Sequence, residues 1–134
     1  MQMTIRFPGG KKVYADYAGL TIETDQSVPD GGDGSAPAPF DLFLASLGTC
    51  SALYVLRFCQ ERGIEVDDIR IIQSWDRNLS SRLIETINIE IRLPQGFPKK
   101  YRSAVVKAAN LCSVKKHLDN PPAINVFATP NKSD

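Results

Sequence analysis

Leu42-Phe43-Leu44-Ala45-Ser46-Leu47-Gly48-Thr49-Cys50-Ser51-Ala52-Leu53-Tyr54-Val55-Leu56-Arg57-Phe58-Cys59 is the longest apolar stretch of the chain. Pro39 suits a first helical turn, Asp41 complements the positive end of the helix dipole, and Gly63 is a natural stop. These signals predict one helix from Ala38-Pro39 to about Glu61-Arg62-Gly63. Its apolar residues leave almost no polar face, and a helix that is hydrophobic all round must be covered all round. Gly48, Thr49, Arg57 and the polar flanks make it a core helix rather than a membrane span. One small sheet cannot cover it alone. A second copy of the chain is the economical cover, so an obligate homodimer is expected.

Before this helix, the residues from Ser27 to Pro39 are mostly Pro, Gly, Asp, Ser and Ala, a connecting loop that is either ordered or mobile. Its Gly31-Gly32-Asp33-Gly34 lacks the Lys-Ser/Thr of a phosphate-binding loop and reads as a flexible cover. Farther upstream, Met3, Ile5 and Phe7 alternate with polar residues and Pro8-Gly9-Gly10 makes a turn. Val13-Tyr14-Ala15 and Leu20 to Thr24 complete an antiparallel N-terminal sheet. Downstream, a strand from Ile69 to Trp75 and another from Leu83 to Leu93 form a hairpin. In the second, Ile87, Ile89, Ile91 and Leu93 alternate with Asn88, Glu90 and Arg92, so one face is wet. Trp75 is expected in the core or at a dimer contact. A second helix begins near Pro98 and sets Tyr101, Ala104, Val105, Ala108 and Cys112 on one face, with Cys112 turned inward. Ala123-Ile124-Asn125-Val126-Phe127-Ala128 reads as a closing strand, followed by a polar tail from Pro130 to Asp134. The class is α+β, in a single domain over residues 1–134.

The formal net charge is +1, which provides no field for nucleic acid or acidic membranes. The N-terminus lacks a signal peptide's apolar core, and three cysteines, an odd number, fit a reducing compartment, so a cytoplasmic location is expected. His117 is the only histidine and has no ligand-spaced companions, so no metal is expected.

The cysteines carry the chemistry. Cys59 lies nine residues after Cys50, about 180° round a helix, and takes a plain core role. Ser46, Leu47, Leu53 and Tyr54 flank Cys50, and such surroundings raise a thiol pKa unless a cation offsets them. A reactive Cys50 therefore calls for a lysine or arginine from another element. Cys112 is either simple packing or, if Asn110 breaks the helix, the start of a new turn. There the dipole, Lys115 and Lys116 would favour a thiolate.

Together these residues resemble the OsmC/Ohr family over nearly the whole chain. The Gly-Gly-x-Gly loop, the run Pro37-Ala38-Pro39-Phe40-Asp41-Leu42-Phe43-Leu44-Ala45-Ser46-Leu47-Gly48-Thr49-Cys50, and Cys112-Ser113-Val114-Lys115-Lys116 carry the likeness. The resemblance implies an OsmC-like fold in which antiparallel sheets from both chains pack around two central helices in an intertwined homodimer. It further implies reduction of organic hydroperoxides without a metal or organic cofactor. Cys50 would be the peroxidatic cysteine and Cys112 the resolving one, with an external dithiol as reductant.

The chain departs from the family's peroxidases at two positions. They carry an arginine after a Gly-Gly turn, where Gly9-Gly10-Lys11 puts lysine, and a glutamate ten residues before the first cysteine, where Phe40 stands. Lys11 supplies charge without a bidentate fork. Asp41 is the nearby carboxylate, either a replacement for the glutamate or a first-turn charge. Two function classes follow. One is a thiol peroxidase using Cys50 and Cys112, with Lys11 and Asp41 in support and a small hydrophobic hydroperoxide against Phe40, Phe43 and Tyr54. The other is a non-catalytic protein that binds a hydrophobic ligand in a dimer cleft lined by the same three aromatics.

Overall fold

Period-two alternation at the N-terminus produces three strands, β1 (Thr4–Gly9), β2 (Lys12–Tyr17) and β3 (Leu20–Thr24), hydrogen-bonded in the order β1-β2-β3. Both pairings are antiparallel, with Thr4 opposite Asp16 and Val13 opposite Thr24. The β1–β2 register shifts between Arg6 and Gly9, where Pro8 has no N–H to give the ladder. This computed structural model describes residues 1–131; residues 132–134, the end of the expected polar tail, lie outside the described residues.

The loop after β3 is not the loose cover that its composition suggests. Asp25 is buried at its base and accepts hydrogen bonds from the backbone N–H groups of Gln26 (2.8 Å), Asp33 (3.2 Å) and Ser35 (3.0 Å), and from the Ser35 hydroxyl (2.6 Å). Those bonds hold the Asp25 carboxyl down at about 2, the Ser35 hydroxyl being the strongest cause, against the opposing effect of burial. A Cβ on Gly32 would lie 2.1 Å from the Gln26 carbonyl oxygen, so only glycine fits there. One carboxylate thus turns a Gly- and Pro-rich segment into fixed structure.

Helix α1 (Pro39–Gln60) starts and stops where the sequence signals it. The Asp41 carboxylate accepts the Ala38 N–H at 3.0 Å, satisfying a donor that the first turn leaves unpaired. At the other end Gly63 takes φ +64°, and the N–H groups of Ile64 and Gly63 return to the carbonyls of Cys59 (2.9 Å) and Gln60 (3.3 Å). By length and composition α1 could cross a membrane, with a mean hydropathy of 1.6, but 33% of that stretch is buried within this single chain. Phe40 and Leu53 remain exposed.

Strands β4 (Arg70–Arg77) and β5 (Ile84–Arg92) form the second sheet, and Ile87, Ile89 and Ile91 are half-buried while Asn88, Glu90 and Arg92 face water. Trp75 is exposed. The second helical region is broken rather than continuous: a 3-10 turn (Lys99–Tyr101) leads into α2 (Arg102–Ala109), and α3 (Ser113–Asp119) begins after Cys112. The expected final strand is absent. Residues 120–131 form no regular element, and Ile124, Val126 and Phe127 are 85%, 94% and 82% exposed. Their alternating pattern suits a strand, but a strand exists only when it finds a partner edge.

The chain divides into two compact units, residues 1–49 with 72–90, and residues 50–71 with the chain from 91 onward. In the first, Gln73 donates its side-chain amide to the Leu44 carbonyl at 2.9 Å. The second has its core at Val55, Phe58, Cys59, Phe97, Val105 and Ala109, with Ile64, Val66, Ile69, Ile91 and Leu93 packed against it. Arg62 stacks 3.7 Å over the Phe58 ring and 5.3 Å from that of Tyr101, fastening the end of α1 to the start of α2.

Candidate active site

Within the second unit, α1 presents Cys50, Tyr54 and Arg57 at positions i, i+4 and i+7, and therefore on one face. The break after α2 lets the chain turn at Cys112, whose extended backbone (φ −45°, ψ 124°) is the N-cap of α3. Helix starts leave backbone N–H groups unpaired, and the Cys112 side chain makes no bond to them. The Cys50 sulfur, from the other helix, takes that place. Burial pushes the Cys50 thiol up, but the Val114 N–H, the Cys112 thiol, the Ser113 N–H and the Arg57 charge together outweigh it and hold Cys50 below an ordinary thiol.

Other contacts pin the same corner. The Tyr54 hydroxyl lies 3.4 Å from that of Ser113, and His117 Nδ1 lies 2.7 Å from the Ser113 carbonyl. Lys115 donates to the Asn110 side chain at 2.6 Å and so bridges the break between α2 and α3. Cys112 is wholly buried and Cys50 half-buried, so the thiol that the surroundings activate is also the reachable one. Cys59 is buried too, and burial pushes its thiol up against the opposing charge of Arg62. No disulfide links the three cysteines. Such an arrangement supplies a nucleophilic thiolate with a second thiol in hydrogen-bonding contact, the two sulfurs that sulfenic acid capture requires. Among the described residues, no group of three or more His, Cys, Asp or Glu is placed to hold a metal ion.

Residues 32–127 match the family model described as OsmC-like protein. The chain belongs to the OsmC-like family. No curated protein matches it. Among solved structures, it is similar to a Psychrobacter arcticus protein named for osmotic stress induction and a detoxification response. That likeness has 21% identity and a TM-score of 0.72, covering 87% of this chain and 86% of the other. It is also similar to the organic hydroperoxide resistance protein OhrB of Bacillus subtilis, at 18% identity and a TM-score of 0.53, covering 90% and 93%. A Legionella pneumophila organic hydroperoxide resistance protein OsmC gives 17% identity and a TM-score of 0.51, covering 88% and 89%. These likenesses give this OsmC-like chain its fold.

Of the residues singled out in the sequence, the structure brings Cys50, Cys112 and Tyr54 together in one unit. Lys11, Phe40, Asp41 and Phe43 belong to the first unit. Lys11 is exposed at the β1–β2 turn, next to Lys12, whose ammonium pairs with Asp33 at 2.6 Å. Asp41 serves the helix start. Phe40 and Phe43 stack with ring centroids 5.4 Å apart, and the Arg77 guanidinium lies 5.8 Å from Phe40. The cation acting on Cys50 comes from α1 itself, as Arg57, not from another element. Arg57, Ser113 and Val114 went unselected in the sequence. The i+7 spacing from Cys50 was the available signal for Arg57; the two N–H groups left no signal beyond the possible break at Asn110.

Proposed function

We propose that this chain is a thiol-dependent reductase of organic hydroperoxides, working in oxidative-stress defence in the cytoplasm. The observation that carries this reading is the Cys50 sulfur seated on the N–H groups of Ser113 and Val114 with the Cys112 thiol beside it. The Cys50 thiolate attacks the distal peroxide oxygen, the O–O bond breaks, and the alkoxide takes a proton to leave as alcohol. Cys50 becomes a sulfenic acid. The Cys112 sulfur then attacks it, a disulfide forms and water departs. An external dithiol restores both thiols through a mixed disulfide. On the family resemblance, Lys11 and Asp41 stand in for its arginine and glutamate, and Phe40, Phe43 and Tyr54 receive the hydrophobic part of the substrate. The working form is a homodimer, supported by the apolar residues that a single chain leaves uncovered on α1, β4 and the C-terminal segment.

A second reading, a binding protein for a hydrophobic ligand without turnover, draws support from the exposed Phe40 beside Phe43. One experiment separates the two. The reduced protein is treated with one equivalent of cumene hydroperoxide and its peptides are mapped by mass. The proposal expects a Cys50–Cys112 disulfide, formed at Cα separations of about 4.4–6.8 Å, with Cys59 still a thiol. Unmodified Cys50 would leave the binding reading, and a dominant link to Cys59 would refute the pairing.

A further inference from the structure

Arg57 is the only charged residue in the run from Leu42 to Cys59. At about 100° per residue, Cys50, Tyr54 and Arg57 fall within about 60° of one another on α1. Helical side chains lean toward the N-terminus of their helix, so Arg57 leans back over Tyr54, its guanidinium carbon 5.7 Å from the ring centroid, in the direction of Cys50. Its side chain is exposed and, among the described residues, makes no ion pair or hydrogen bond. Its side-chain N–H donors are uncommitted, and its charge faces the Tyr54 ring.

We infer that Arg57 is a positioning residue for the thiol reaction: stacked on Tyr54, it holds a fixed positive charge on the face of α1 that carries Cys50, where it favours the anionic sulfur. This inference rests on the thiol reading above, but it is tested without turnover. The groups that act on the Cys50 thiol are the Val114 and Ser113 N–H groups, the Cys112 thiol and the Arg57 charge; α1 also carries Tyr54 on the same face, and α3 carries Lys115, Lys116 and His117. Two of these are engaged elsewhere, Lys115 with Asn110 and His117 with the Ser113 carbonyl. The Arg57 charge does favour the ionised Cys50 sulfur. Arginine suits the post because it stays charged at every working pH and stacks on an aromatic face, whereas lysine does so less well.

The test is the pH profile of Cys50 alkylation by iodoacetamide in the whole reduced protein, with the modified cysteine identified by peptide mass. Arg57→Gln should slow alkylation near neutral pH by about threefold, a modest effect because the charge is exposed and screened. The rates should converge with wild type in alkaline solution, where Cys50 ionises without help. Arg57→Lys should restore most of the loss. A lost fold would expose Cys59 and Cys112 to the reagent, so it is distinguishable. An Arg57→Gln profile that superimposes on wild type would overturn the inference. Failure of hydroperoxide reduction with an intact Arg57 effect would instead reject only the peroxidase reading.

Discussion

Cys50 and Cys59 are the same residue on the same helix, and their surroundings make them opposites. Cys59 is sealed in an apolar core, where a thiol packs as a small hydrophobe and its proton is held more tightly. Cys50 meets the start of another helix and gives its proton up more readily. Cys59→Ser should therefore cost about 1–3 kcal/mol, since it puts a polar hydroxyl in place of an apolar thiol in a sealed core. Urea unfolding would measure that cost, while Cys50 alkylation should stay at the wild-type rate. The division between the two cysteines was legible from nine-residue spacing alone. What the spacing could not show was how Cys50 is activated, because two of the groups responsible are backbone N–H donors and depend on a turn at Cys112. Arg57 was hidden for another reason: within an apolar run, a single arginine looks like a solvated end of the helix.

Between residues and the molecule stand the elements, and the loop after β3 shows how one side chain can define one. Asp25 is held near 2, below its unfolded value of about 3.9, so its contribution to stability is complete above the unfolded value and is lost as pH falls through the folded one. Urea midpoints should thus decline as pH falls from about 4 to about 2, and Asp25→Asn should flatten that decline. Gly32→Ala should disorder the same loop, detectable as faster proteolysis between Gln26 and Ser35, because the new methyl collides with backbone that cannot move aside. Composition marked this segment as a loop but could not reveal its order, which depends on a buried carboxylate outside the Gly-rich motif. Helix α1 was legible to within a residue or two because Pro39, Asp41 and Gly63 each do a local job. The α2–α3 break was visible only as an option at Asn110. The closing strand was misread because its alternation describes which side would be buried, not whether a partner edge exists in the same chain.

For the whole molecule, the exposed apolar side chains are the dominant feature: Ile5 and Phe7 on β1, Ile72 and Trp75 on β4, and Ile124, Val126 and Phe127 beyond α3. Burying one such side chain is worth about 1.5–3 kcal/mol, so a second copy that covers most of the seven would offset an association cost of about 4–15 kcal/mol. Sedimentation at micromolar concentration should show a dimer, and a stable soluble monomer would contradict the dimer proposal. The decisive measurement is consumption of cumene hydroperoxide in the presence of a dithiol by wild type, Cys50→Ser and Cys112→Ser. Wild type should turn over and Cys50→Ser should fall to the rate of the dithiol alone. Cys112→Ser, exposed to peroxide without dithiol, should stop after one oxidation with Cys50 trapped as a sulfenic acid. A Cys50→Ser protein that still consumes hydroperoxide at the wild-type rate, or a wild type that consumes none with any dithiol, would contradict a Cys50-centred peroxidase.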